Sequence, residues 1–293
     1  MRPPAPLGDA KSTAPAWAEG PLSSASPQSV GVVGLGRMAQ ALLLPLMECG
    51  LVPRERVQAV VASQASAQRL ATAHPGLAVG TDPEAAWRAE AVLLAVKPQQ
   101  VQAVSAAAPA PDPVGPPPLL ISVLAGVSLG RLQTLFPGWR VVRAVPNTPC
   151  LVRAGLTGLA WGEGVSSAQQ TWVQQLFSQV GEVLVLPEAQ LDAFLALTSS
   201  GPAFVALVAE AMADGAVASG LPRLLAHQLA HRTLAGTAAL LQEQQLHPGQ
   251  LKDMVSSPGG TTIAGLRQLE RAGARSALIE AVIAAAERSR ELA

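Results

Sequence analysis

Residues 30–39 read VGVVGLGRMA, and the neighbouring elements are organised around this stretch. Val30 to Val33 form a short apolar run of the kind found in a buried strand. Gly34 and Gly36 punctuate a tight turn, and from Met38 to Cys49 apolar residues recur at helical spacing. Gly34-Leu35-Gly36-Arg37-Met38-Ala39 thus matches G-x-G-x-x-G/A between a strand and a helix, the context in which that pattern carries chemistry. Gly34 permits the turn, Gly36 lets a pyrophosphate approach the backbone, and Ala39 keeps helix and strand close. The free N–H groups of the helix start then meet negative charge. A close strand–helix turn that holds no ligand would use the same residues.

Outward from this stretch, short apolar runs alternate with helical patterns: VQAVVA (57–62) before 65–73, and AVLLAV (91–96) before 99–107. This is the βαβ rhythm of a parallel sheet covered on both faces. LLISVL (119–124), RVVRAV (140–145), GLTGLAW (155–161) and EVLVL (182–186) are further strands, and the Pro-rich segment 109–118 is a surface connection. Beyond Pro187 the strand signals stop. Helices are predicted over 201–219, 222–244, 258–271 and 274–292, with Gly220 as a stop and Pro222 in a first turn. The fold class expected is α/β: an N-terminal Rossmann dinucleotide-binding domain over 29–187, then an all-helical C-terminal domain over 188–293. Ala and Leu crowd more than one face of these helices, so the second domain is expected to self-associate as a dimerisation domain.

Composition narrows the class. The 293 residues are 49% hydrophobic with a formal net charge of zero, and the mean hydropathy is +0.31. Such a chain buries a core in each of two domains. Without a basic cluster it offers no footprint for nucleic acid or an anionic membrane. The longest apolar stretches are broken by Glu210, Asp214 and Glu280, so no spanning helix is expected. Cys49 and Cys150 support neither a disulfide framework nor a metal motif, and a reducing, cytoplasmic setting is the simpler expectation. Residues 1–28, rich in Pro, Ala and Ser, are expected to form a disordered tail.

After the second strand, where an acidic residue would bind the ribose of NAD, the chain reads Ala62, Ser63 and Gln64, with Arg69 further on. A 2′-phosphate would not be repelled. NADPH is the expected cofactor, with Ser63 among its contacts and NADH still possible. Lys97 stands at the carboxyl end of a strand, as a ligand contact or an ordinary cap. Asn147 in PNTP serves a ligand or its turn. His227 and His231 have zincin spacing, but Gln228 replaces the catalytic Glu and no third ligand is evident, so no metal site is expected. No G-x-S-x-G elbow, P-loop or Cys-His pair supports hydrolysis or phosphoryl transfer. The uncharged segment VSSPGGTTIAGL (255–266) reads as a loop opening a helix, where an anion fits as well as a capping side chain.

In order along the chain, GVVGLGRMAQAL, LLAVKPQQV, LISVLAGVSL, RVVRAVPNTP, SSGPAFV, ADGAVASGLPR, HPGQLKDMVSSPGGTTIAGLRQLE and RSRELA resemble the pyrroline-5-carboxylate reductase family. The resemblance implies NAD(P)H-dependent reduction of 1-pyrroline-5-carboxylate to L-proline. It implies that Val33, Gly34, Leu35, Gly36, Arg37, Met38, Ala95, Val96, Lys97, Pro98, Val123, Leu124 and Ala125 line the dinucleotide. Glu188 and the loop residues Ser257, Gly259, Gly260, Thr261 and Thr262 would face the cyclic imino acid, Ser257 and Thr262 serving catalysis by orienting its carboxylate. The chain departs from the family pattern at Leu195, where a Thr often proposed as proton donor is usual. Two further departures are Met254 and Asp82, each where Asn is frequent. A reductase of a related cyclic imino acid and a non-catalytic dinucleotide-binding paralogue share these motifs.

Overall fold

The computed structural model describes residues 27, 29–50 and 52–292, so nearly all of the tail expected over 1–28 lies outside the described residues. The chain divides into two units after Leu191. In the first, β1 (Val30–Val33), α1 (Arg37–Glu48), β2 (Val57–Val60), α2 (Gln64–Ala73), β3 (Ala78–Gly80), α3 (Glu84–Trp87), β4 (Ala91–Leu94) and α4 (Val101–Ser105) keep the expected rhythm, with the short β3 and α3 added to the runs laid out from the sequence. They lead into β5 (Leu119–Ser122), α5 (Leu129–Leu135), β6 (Arg140–Pro146), β7 (Gly155–Trp161), α6 (Ser167–Ser178) and β8 (Gly181–Val185). The helix expected over 99–107 is a 3-10 turn, Pro98–Gln100, running into the shorter α4.

These strands form one sheet in the order β3-β2-β1-β4-β5-β6-β7-β8. Val32 sits opposite Ala59 on one side and Leu93 on the other, both pairings parallel. All four residues of β1, β4 and β5 are buried, as continuous apolar runs require when helices cover both faces. Leu42, Leu43 and Leu46 of α1 pack into the same core as Ile121, Val142 and Phe177. One pairing departs from the parallel sheet expected from the sequence: β6 and β7 run antiparallel, with Val142 opposite Trp161. The chain between them is too short for the dozen or so residues of a parallel crossover, so the strand must reverse. Arg153, at φ 56°, closes that reversal in the left-handed region.

The second unit holds only helices: α7 (Leu191–Thr198), α8 (Gly201–Ala218), α9 (Arg223–Glu243), α10 (Pro248–Met254), α11 (Thr261–Arg271) and α12 (Ala274–Glu291). Pro222, expected in a first turn, is instead the residue before α9. Its ψ of 138° is extended while its carbonyl accepts from Ala226. Likewise α11 begins at Thr261 and not at Pro258, because Gly259 at φ +68° leaves the helical path. Helices α8 and α9 meet through Ala213, Ala226 and Ala230, whose small side chains let the backbones approach. Larger residues face outward: Leu207 is 66% exposed and Leu224 82%. The run Glu188–Ala218, which includes α7 and α8, reaches a mean hydropathy of 1.6 over an 18-residue window, with 11% of that window buried. By length and composition it could cross a membrane, which the charged interruptions had argued against.

Candidate functional site

Strand β1 is the point where the sheet order reverses. The chain passes from β1 to β2 and β3 on one side, then returns to β4 and β5 on the other. Open α/β sheets bind ligands beyond the carboxyl ends of their strands at such a point. There a cleft of about 610 Å³ opens, floored by Val33 to Gly36 and Ala95 to Lys97. Gly34 adopts φ +93°, and a Cβ on it would stand 2.8 Å from the Ala95 carbonyl oxygen, so only glycine fits. Its N–H donates to the Val60 carbonyl at 2.9 Å, fastening the turn to β2. Gly36 differs: a Cβ there would meet nothing within 4 Å and would project into open space. As the residue before α1 it offers no side-chain cap, and the first turn holds no acidic residue. The N–H groups of that turn are therefore available to an anion, as a pyrophosphate needs.

The far side of the cleft is built by Ala62, Ser66 and Arg69 after β2, by Thr81, Pro83 and Trp87, and by Val104 of α4 and Ala107 just beyond it. Among the described residues, two cations, Arg69 and Lys97, line it, and no carboxylate does. Trp87 is 2% exposed, and its buried indole Nε1 has no hydrogen-bond partner among the described residues. A cradle of glycines, an uncapped helix start and an unopposed positive charge together fit a dinucleotide.

Not every residue expected at the dinucleotide lines this cleft. Ser63 accepts a hydrogen bond from Ser66 N–H at 3.3 Å and caps α2, while Ser66, not singled out from the sequence, faces the cleft. Arg37 lies on a separate hollow of about 340 Å³ beside Glu48 and Arg153, which pair at 2.9 Å. Met38 packs against the core. Pro98 opens the 3-10 turn after β4. Val123 donates to the Leu94 carbonyl at 3.0 Å, Leu124 is buried and Ala125 is exposed at the end of β5. Asn147 is buried, and its Oδ1 accepts from Leu156 N–H at 2.8 Å, so its amide serves the turn. Asp82 similarly accepts from Glu84 N–H and starts α3.

Glu188, expected to face the substrate, has partners within the first unit. Its Oε1 accepts from Leu129 N–H at 2.6 Å and from Arg143 at 3.1 Å. The Arg143 side chain is 4% exposed, so this carboxylate neutralises a buried cation while tying α5, β6 and the turn after β8 together.

In the second unit, the loop before α11 keeps its expected form. Gly260 precedes the helix without a side-chain cap, and its N–H donates to the Ser257 carbonyl at 3.0 Å. Ser257 Oγ occupies the space a Cβ on Gly260 would need, 2.3 Å from that position. Gly259, Thr261 and Ser257 are exposed, Thr262 is half-buried, and the Ser256 hydroxyl is buried without a partner. Free N–H groups, nearby hydroxyls and no carboxylate in the first turn make a neutral seat for an anion. His227 and His231 have ring centroids 6.3 Å apart, and among the described residues no group of three side chains could hold a metal.

Comparison with known proteins agrees over both units. Residues 188–292 match the family model described as pyrroline-5-carboxylate reductase dimerisation, and residues 29–126 match NADP oxidoreductase coenzyme F420-dependent. The chain is 46% identical to pyrroline-5-carboxylate reductase of a Synechocystis species, covering 90% of this chain and 97% of that protein. With the Arabidopsis thaliana pyrroline-5-carboxylate reductase the identity is 38%, over 90% and 95%. Among solved structures, Plasmodium falciparum pyrroline carboxylate reductase with NADP bound superposes with a TM-score of 0.81. It is 28% identical and covers 90% of this chain and 97% of that one.

Proposed function

The chain belongs to the pyrroline-5-carboxylate reductase family, and from that premise we propose how it performs the reduction of 1-pyrroline-5-carboxylate to L-proline. The observation that carries the proposal is the glycine-lined cleft at the sheet's switch point, open over the uncapped start of α1. Bound there, a nicotinamide dinucleotide supplies the hydride. Gly34 and Gly36 would bring the backbone N–H groups at the start of α1 to its pyrophosphate, and Ala95 to Lys97 would line it.

The loop Ser257 to Thr262 takes the substrate carboxylate through the N–H groups of α11 and the hydroxyls of Ser257 and Thr262. A protonated imine is already electrophilic, so orientation is the main demand. Hydride adds to the ring carbon of the C=N bond, the π electrons become the nitrogen lone pair, and the nitrogen keeps its proton. No buried charge is needed to hold the acid group.

Three finer readings are proposed with it. NADPH is preferred to NADH, supported by the absence of an acidic residue after β2. Residues 29–187 hold the cofactor, and 188–293 hold the substrate loop and self-associate through the outward leucines of α8 and α9. The enzyme works in the cytoplasm, supported by two unpaired cysteines. The test is loss of NADPH absorbance with 1-pyrroline-5-carboxylate and with its six-membered analogue. Turnover of the five-membered ring well above the analogue is expected. Cofactor binding with turnover of neither would overturn the proposal.

A further inference from the structure

We propose that Arg69, helped by the Ser66 hydroxyl, reads the 2′-phosphate of the cofactor, so that one face of α2 replaces the strand-end loop as the specificity determinant. This rests on the NADPH reading above and assigns its contact.

In a sheet of this kind the adenosine ribose lies past the end of the second strand. Here that stretch is Val61, Ala62 and Ser63, which bear no charge. The Ser63 hydroxyl is taken up in capping α2, 3.0 Å from Ser66 Oγ. Ser66 and Arg69 stand three residues apart on α2 and so share a face, and both line the cleft. Arg69 makes no ion pair or hydrogen bond among the described residues, whereas Arg54, Arg88, Arg153 and Arg223 are each held by a backbone or carboxylate oxygen. With no carboxylate in the cleft, an incoming phosphate is the anion Arg69 lacks. Its guanidinium can grip phosphate oxygens in pairs, and Ser66 Oγ, already beside Ser63 Oγ, can turn its proton outward. Lys97, at the end of β4, lies past the strand on the other side of β1 and is left for the remainder of the dinucleotide. Helix α2 is anchored by the buried Ala67 and Leu70, so the exposed Arg69 is free to serve a ligand without holding the fold.

The test uses adenosine 2′,5′-bisphosphate and 5′-AMP, which differ only in the 2′-phosphate, titrated calorimetrically into the full chain and its R69A, R69K and S66A variants. The intact protein should prefer the bisphosphate by roughly ten-fold or more, as a charged hydrogen bond at a solvent-facing site gives. R69A should bring that ratio to about one, R69K and S66A should keep part of it, and 5′-AMP affinity should change less than two-fold. A bisphosphate preference that survives R69A overturns the assignment to Arg69 and leaves the NADPH reading standing. Equal binding of the two nucleotides by the intact protein overturns both. Thermal midpoints of the variants confirm that the fold is unchanged.

Discussion

Replacing Gly36 by alanine should separate ligand binding from folding. The Gly36 backbone, at φ −76° and ψ −174°, is open to any residue, and a Cβ there touches nothing. Alanine narrows the unfolded ensemble by about 0.4–1 kcal/mol, offset by its slightly poorer performance before a helix, so stability should shift by less than about 1 kcal/mol. The thermal midpoint should then move by less than about 4 °C. The same methyl group projects over the start of α1, where a pyrophosphate would lie. Each N–H bond to a charged phosphate that it lengthens is worth about 1.5–3 kcal/mol, so losing one raises the dissociation constant of NADPH by roughly 10- to 150-fold. The measurements are a melting curve without ligand and a fluorescence titration with NADPH. Gly34 supplies the contrast, because its alanine would sit at φ +93° with its Cβ 2.8 Å from a carbonyl oxygen. That variant should lose at least about 2 kcal/mol of stability through strain and overpacking. If Gly36→Ala binds NADPH as tightly as the parent, the pyrophosphate does not lie over α1 and the reading of the cleft fails.

Ser257→Ala should raise KM for the imino acid several-fold with NADPH affinity unchanged, and Gly260→Ala should do the same by displacing Ser257 Oγ. A loss of NADPH affinity instead would assign the loop to the cofactor. Leu195→Thr should hold or raise kcat if a hydroxyl at this position of α7 helps deliver a proton; a large fall in kcat in a normally melting variant would contradict that. Burial pushes the Cys150 thiol above its usual range, whereas Cys49 is exposed. Iodoacetamide at neutral pH should therefore label the folded chain at Cys49 alone, and rapid labelling of Cys150 would refute its burial.

Much of the architecture is legible because its signals are local. The turn at Gly34 and Gly36, the strand GLTGLAW, the stop at Gly220 and the uncapped loop before α11 all depend on neighbours within a few residues. Some local signals are present in the chain yet fell outside the expected elements: Ser128 before Leu129 caps α5, and Ser166 with Gln169 forms a capping box for α6. Helix α3 is short, and Trp87 is held by rings far along the chain, Phe136 at 5.7 Å and Trp139 at 5.6 Å.

The candidate site divides in the same way. The spacing of Gly34, Gly36 and Ala39 announces an anion at a helix start, since one turn of backbone suffices to make it. Which side chains face that anion is a question of distant partners. Ser63 and Ser66 are the same residue type; Ser63 caps α2 through a bond three residues away, whereas only the packing of α2 beside the sheet brings Ser66 to the cleft. The family resemblance implies that Glu188 faces the substrate, but its pairing with Arg143, 45 residues earlier, answers the need to neutralise a buried cation and is not written in local spacing. The amino-acid pattern alone specifies the elements, the glycine turn and the family. The antiparallel turn into β7, the charge on the cleft walls and the partner of Glu188 follow from contacts that exist once the sheet has closed, because burial and pairing depend on residues that local spacing never brings together.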